Sequence, residues 1–406
     1  MTSTTPKARP GPWRKGLAPR ASGVTYAFLL LLAILTTISA SQGRPSYLSS
    51  VNLSNILEQS SLIGILAIFM TVVLITGNFD LSVASTAALA GTVALKVIDG
   101  HGTAMAVIAG LLCGLAVGAL NAVLVQKVGV NAFIVTLGTL TAVRGVVQAI
   151  LDGQSITAKN TSLLSFSTGR WALPTVVALV IGVALIAAAV FLISRSTNRS
   201  TGAWNTWPLW GTGLFLTLIA GLRPNLLDQA IPVWIMFFLA IVTSLVLKFT
   251  VVGRNVYAVG GSAEAARLSG VNVDRYKMGA FMVNGVVAAM VGILYAGRFN
   301  SVDPTVLTGG ELTVIAAAVL GGTSLFGGSG VVVKSVIGTL ILFTLSNGFN
   351  VLNIGSNYQN VVQGTVLVAA ASLYTASSST ERRKLFSRLR RPAAAAAPPE
   401  PTAPVS

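Results

Sequence analysis

Long uninterrupted apolar runs constrain this chain more than any other feature. Runs of the length needed to cross a hydrocarbon layer, about 20 residues each, begin near Val24, Ser60, Leu81, Ala104, Ala132 and Leu173. Others begin near Trp204, Ile231, Tyr276, Glu311, Ser335 and Asn357. The Leu81 and Glu311 runs are interrupted by glycine, and the Trp204 run is short. A lipid-exposed barrel needs short segments alternating apolar and polar, and these runs are continuous. The expected fold is therefore all-α, a polytopic transmembrane helix bundle of about twelve spans. Composition agrees: 53% of residues are hydrophobic and 9% charged, against roughly 25% charged in soluble domains.

The net charge of +16 could suggest nucleic acid as a partner, but its distribution argues otherwise. Lys7, Arg9, Arg14, Lys15 and Arg20 precede the first run, and Arg382, Arg383, Lys384, Arg388, Arg390 and Arg391 follow the last. Basic residues concentrate in cytoplasmic connections, so both termini are expected inside, which requires an even number of spans. The same alternation places Lys127, Arg195, Arg199, the Lys248–Lys277 connection and Lys334 inside, with Arg44, Lys159, Arg170, Arg223 and Arg298 outside. The charge encodes topology, and no nucleic-acid partner is expected.

Three regions are expected: a basic cytoplasmic segment over 1–23, a transmembrane domain over 24–376, and a basic, then Ala/Pro-rich, disordered tail over 377–406. Small residues follow the first run at Ser39-Ala40-Ser41, loosely resembling a leader cleavage site. With so many spans following, an uncleaved first helix is the expectation.

Chemistry-bearing residues are scarce. Cys113 is the single cysteine and His101 the single histidine, so no zinc site of ordinary ligand count can be built. Cys113 reads as a packing residue and His101 as a loop residue. No G-x-x-x-x-G-K-[ST] phosphate loop is present; the nearest approach, Gly330 to Ser335, lacks the second glycine. No cofactor, metal or catalytic group is expected, and the chain should not hydrolyse ATP by itself.

Two segments interrupt the plain spans: Ile75–Gly91, with Asp80 placed to favour the positive end of a helix, and Val319–Ser335, rich in glycine. Non-helical backbone at membrane depth is tolerated only where protein or a water-filled cavity satisfies it. Paired interruptions point to a transport site and to an internal duplication, although the two segments resemble each other only weakly. Intramembrane charge is limited to Lys96, Arg144 and Glu311, and the remaining acids sit mainly at span ends, against coupling to an ion gradient. Hydroxyl and amide groups (Asn78, Thr136, Thr139, Gln148, Asn284, Asn347 and Asn350) suit a neutral polyol, hydrogen-bonding it without a charge to desolvate. For any single one, helix packing is the plainer explanation.

The connection over 250–275 is the densest cluster of charge between spans. It holds a short helix-forming stretch, Ala263 to Leu268, with Ser262 placed to cap it and Gly270 to end it. It reads either as a solvated loop or as a docking element for a cytoplasmic partner.

These segments resemble a known family. TGNFDLSVAS is similar to the "G-(I/N)-DLSVGS" segment of bacterial ATP-binding cassette sugar-importer permeases for ribose, xylose and galactose. VNAFIVTLGTL, Val130 to Leu140, resembles their "PPFIVTLGTM" span. GRNVYAVGGSAEAARLSGVNVDRYK resembles their coupling loop, and GGELTVIAAAVLGGTSLFGGSG their glycine-rich late segment. The segments run in family order from about Asn52 to Tyr374, departing at Asn131-Ala132, where proline is common, and at Ala84, where glycine is common.

The resemblance implies a multi-pass protein of the bacterial inner membrane, paired with a second permease copy, a cytoplasmic ATPase and an extracytoplasmic sugar-binding protein. Glu264, Ala265, Ala266, Arg267 and Gly270 would contact the ATPase. Asp80, Ser82, Thr136, Thr139, Asn284 and Asn347 would be translocation-path candidates. The outer segments 151–170, 223–229 and 298–309 would receive the binding protein. Extra hydrophobic material between Phe191 and Ile231 resembles the xylose-type permeases, making D-xylose the expected cargo. Ribose, galactose or another small solute of this importer class is the alternative, followed by an ion-coupled secondary carrier.

Overall fold

The computed structural model describes residues 19–195, 213–214 and 216–353, with positions 358, 361, 364, 365 and 368. The expected N-terminal basic segment lies mostly outside these residues, as do the tail, much of the insertion between Phe191 and Ile231, and most of the run from Asn357.

The described chain is helical almost throughout: α1 (Pro19–Ser41), α2 (Ser50–Ile75), α3 (Val83–Val123), α4 (Ala132–Leu151), short α5 (Ser162–Thr168) and α6 (Thr175–Arg195). Helical positions at 213–214 and 216–222 precede α7 (Ile231–Phe249), α8 (Val251–Gly261), α9 (Ala263–Leu268), α10 (Val273–Phe299), α11 (Gly310–Leu320) and α12 (Val332–Val351). Seven of these helices are long and apolar enough to cross a membrane. The protein is an all-α polytopic membrane protein.

Two of the expected runs take particular forms. Helix α3 has 41 residues and is broken at Gly102, whose φ of 78° and ψ of 172° are not helical. It therefore makes two passes, 83–101 and 103–123, each about 30 Å long. His101, expected as a loop residue, is exposed beside this kink. The Glu311 run, expected to be a full span, has only the 11 helical residues of α11, about 16 Å. Its glycines end the helix early, and residues 321–331 continue as non-helical backbone to the end of α2, where the Gly328 N–H meets the Ile75 carbonyl. That crossing is half helix and half loop.

Burial separates inner from outer helices. Of the apolar window of α2, 72% is buried, and 61% of that of α10, against 11% for α1. Helix α2 contributes Ile65, Leu66, Ile68, Met70, Leu74 and Ile75 to the main core, where Phe281 and Val291 of α10 and Val314 of α11 join them. Outward-facing Leu30, Ile108, Ile134, Val180, Phe238 and Ile241 are exposed, as a lipid-facing surface requires.

Close approach between α3 and α10 depends on small residues. A methyl group at Gly285 would drive into the carbonyl oxygen of Gly114, and one at Gly292 into that of Ala87. Lipid offers no hydrophobic drive to helix association, so such backbone-to-backbone packing supplies the attraction.

One end of the bundle carries α8 and α9. At the opposite end two small antiparallel ribbons lace the connections together: β1 (Ile156–Thr157) pairs with β4 (Ser301–Val302), and β2 (Arg170–Ala172) with β3 (Asp228–Ala230).

Candidate functional site

The break between α2 and α3 holds a buried polar chain. Asp80, 2% exposed, accepts hydrogen bonds from the backbone N–H of Ser82 at 3.0 Å and from its hydroxyl at 2.6 Å. Its other oxygen accepts from Asn284 Nδ2 of α10 at 2.8 Å. Asn121, on the second pass of α3, donates to Ser82 Oγ at 2.9 Å. Thr139 of α4 approaches Asn121 Oδ1 at 2.7 Å and its own Val135 carbonyl at 2.9 Å. Ser82 stands at the N-cap position of α3 but makes no side-chain cap bond, because its hydroxyl is engaged by Asp80 and Asn121.

The network joins four of the path candidates, Asp80, Ser82, Thr139 and Asn284, across α3, α4 and α10. It lies about 10 to 17 Å along α4 and α10 from the end bearing α8 and α9. Asn284 Oδ1 is buried without a hydrogen-bond partner. Thr136 lies one turn away on α4, its hydroxyl donating to the Ala132 carbonyl at 2.8 Å. Asn347 lies apart, near the opposite end, where it donates to Asn52 Oδ1 at 3.0 Å. There Asn52 donates to the Tyr47 carbonyl, and Tyr47 to that of Thr344. All six candidates are buried, and all but Thr136, whose hydroxyl bonds its own helix, join different segments in this conformation. Asn121 was missed at sequence level; the available signal was an amide within an otherwise apolar run, which must find a partner.

The second break has a smaller cluster. Thr71 of α2 donates to Ser335 of α12 at 2.7 Å, and Thr323 lies 3.4 Å from the same hydroxyl.

The connection over 250–275 folds as α8 and α9. Ser262 caps α9, accepting from the Ala265 N–H at 3.2 Å, and Gly270 follows at φ 81°. Glu264, Arg267 and Gly270 are exposed, Ala265 also, whereas Ala266 is buried against Val259 and Val273. Arg267 lies 3.6 Å from Asp274, which Lys127 approaches at 3.4 Å. The result is a small charged knob with an apolar footing on α8 and α10.

At the opposite end Arg170 pairs with Glu58 at 2.5 Å and with Asp228 at 3.4 Å. Partial burial opposes its charge, yet the two carboxylates hold its guanidinium above the ordinary value. Arg298 donates to the Glu58 carbonyl at 2.9 Å, and a cavity of about 230 Å³ opens among Glu58, Ser167, Thr168, Ala230, Arg298 and Phe299. Arg144 of α4 donates to the Val306 carbonyl at 2.6 Å and lies 3.4 Å from that of Pro304. Among the described residues no group of three or more His, Cys, Asp or Glu could hold a metal ion.

The chain is 36% identical over 345 residues to the ribose import permease protein of Escherichia coli strain K12, covering 85% of this chain and 90% of that protein. It is 34% identical to the xylose transport system permease protein of the same strain, covering 82% and 86%. The corresponding xylose permease protein of Haemophilus influenzae is 32% identical, covering 87% and 96%. No solved structure matches the chain. The family described as "Branched-chain amino acid transport system / permease component" matches residues 52–371, and with that match the chain belongs to this permease family.

Proposed function

We propose that the chain is the membrane permease of an ATP-binding cassette importer that carries a monosaccharide into a bacterial cytoplasm across the inner membrane. The carrying observation is the likeness to ribose and xylose permeases over more than four-fifths of the chain. It favours a sugar over the amino acids in the family's description. The amides and hydroxyls gathered around Asp80, with the spare acceptor of Asn284, offer hydrogen bonds that suit a polyol.

Energy would come from a separate ATPase docking at the knob of Glu264, Ala265, Ala266, Arg267 and Gly270, which makes this end cytoplasmic. The sugar-binding protein would dock opposite. Segments 151–170, 223–229 and 298–309 lie at that end, where the two ribbons draw strands from each region together. A second copy of the chain completes the pathway. Alternating access would then part α3 from α10, letting the sugar's hydroxyls replace bonds within the network. Path roles for Asp80, Ser82, Thr136, Thr139, Asn284 and Asn347 belong to this proposal.

D-xylose is the proposed cargo, on the insertion between Phe191 and Ile231, with D-ribose the direct competitor. The test is uptake of labelled D-xylose and D-ribose into proteoliposomes, with and without the ATPase, binding protein and ATP. Uptake requiring every component supports the importer. Uptake by the chain alone would replace it with a secondary carrier, and preference for ribose would reassign the cargo.

A further inference from the structure

The two breaks meet at a single point, and that point belongs to the cytoplasmic knob. Ile75, the last residue of α2, presents an end carbonyl that its own helix cannot satisfy. Its partner is the backbone N–H of Gly328 in the second break, at 2.9 Å. Gly260, near the end of α8, sits directly over this bond. A methyl group there would drive into the Ile75 carbonyl oxygen and come within 2.7 Å of Gly328 N. From the other side, a methyl at Gly327 would stand 2.7 Å from the Gly260 carbonyl oxygen and 2.9 Å from Gly77 Cα. Only backbone fits where α8, the first break and the second break touch.

Side chains fix the same junction. Tyr257, one turn before Gly260, donates its hydroxyl to the Gly330 carbonyl at 2.8 Å. Asn255 donates to Tyr276 of α10 at 2.6 Å, and Val259, Ala266 and Val273 pack α9 onto α8 and α10. Helices α8 and α9 thus form one packed piece with direct holds on both segments of interrupted helix. A plain solvated connection needs none of these contacts.

We infer that Tyr257 and Gly260 are positioning residues that transmit movement of the α8–α9 knob to both helix breaks at once. The inference rests on the importer reading and adds to it the place where force enters the membrane domain. When α8 shifts, Gly260 bears on the Ile75 end of the first break, and Tyr257 draws Gly330 in the second. Neither residue touches the sugar or the nucleotide. Their effect appears in the sugar delivered per ATP hydrolysed.

The test uses the full importer in proteoliposomes, with uptake and ATP hydrolysis measured in the same vesicles. Tyr257→Phe removes one hydrogen bond and no volume. It is expected to keep the subunits assembled while lowering sugar delivered per ATP roughly fivefold, the population shift one hydrogen bond supplies. Gly260→Ala is expected to lower the ratio further. Should that variant fail to accumulate, Tyr257→Phe decides alone. An unchanged ratio in Tyr257→Phe overturns the inference and leaves the importer standing. Loss of assembly would mark the tyrosine as structural and overturn it too. Absence of ATP-dependent uptake in the wild-type complex would overturn the importer reading itself.

Discussion

Asn284 of α10 donates its amide to the carboxylate of Asp80, 204 residues earlier in the chain, at 2.8 Å. The bond crosses the close contact between α3 and α10 and anchors a buried carboxyl group that has no cation among its hydrogen-bond partners. A buried carboxyl group needs hydrogen-bond partners, and Asp80 has three donors: the Ser82 N–H, the Ser82 hydroxyl and Asn284. Removing one leaves part of its desolvation uncompensated, a loss of about 1–3 kcal/mol. Asn284→Ala is therefore expected to lower the thermal midpoint of the purified permease by several degrees. Asp80→Asn, which keeps shape and one acceptor oxygen, should cost less than Asp80→Ala, which strands both Ser82 and Asn284. The reverse order would show that the group is not held by these donors.

Backbone contact between α3 and α10 sets a second expectation. Gly292 has the Ala87 carbonyl against it, whereas a methyl group added at Gly279, on the same helix, would meet nothing within 4 Å. Alanine favours a helix interior over glycine by about 0.5–1 kcal/mol. Gly279→Ala should therefore leave stability unchanged or raise it. Gly292→Ala should force the helices apart and destabilise by about 1–3 kcal/mol. Thermal unfolding in detergent compares the two directly, and equal effects would contradict the packing.

Arg144 predicts the behaviour of the connection between β4 and α11. Its guanidinium bonds the carbonyl of Val306 within a segment where Leu307 and Gly309 adopt positive φ. Left-handed backbone at a leucine is strained, and neighbouring contacts must hold it. Arg144→Gln should loosen residues 303–308. In a Cys113→Ser background, a cysteine introduced by Thr305→Cys should react with a membrane-impermeant thiol reagent several-fold faster once Arg144 is changed. An unchanged rate would mean that the strap is held by other contacts.

The helical class was readable because apolar runs of spanning length have few alternatives in lipid. The glycines after Leu320 marked the irregular crossing, but not how it resolves. Glycine permits a kink, a helix end or an extended segment alike, and packing chooses. That is why the Glu311 run was expected to span as helix and instead stops at Leu320. Asp80, Ser82, Thr139 and Asn284 were legible as polar residues within apolar runs, and the structure gathers them. Asn347 carried the same local signal and sits elsewhere, because spacing along one helix says nothing about which neighbour it meets. Asn121 escaped for the same reason. The Gly260 junction was invisible, since it joins three glycine-containing segments that are distant in sequence and share no motif.

The knob at α9 supports the final prediction. Arg267 is partly occupied by Asp274, which Lys127 also approaches, whereas Glu264 is exposed and forms no ion pair among the described residues. Glu264→Lys therefore changes what a partner meets without breaking an internal contact. Arg267→Glu also sets a second negative charge beside Asp274 and disturbs the knob itself. Charge complementarity at a docking rim acts mainly on association and is weakened by salt. Glu264→Lys is expected to weaken ATPase binding about tenfold at low ionic strength, with the difference shrinking at high salt, while membrane insertion and thermal stability stay unchanged. Arg267→Glu should weaken binding and also lower the thermal midpoint slightly. Binding to the ATPase measured across a salt series, beside thermal unfolding of the permease alone, separates these effects. Unaltered affinity in both variants at low salt would remove α9 from the docking surface.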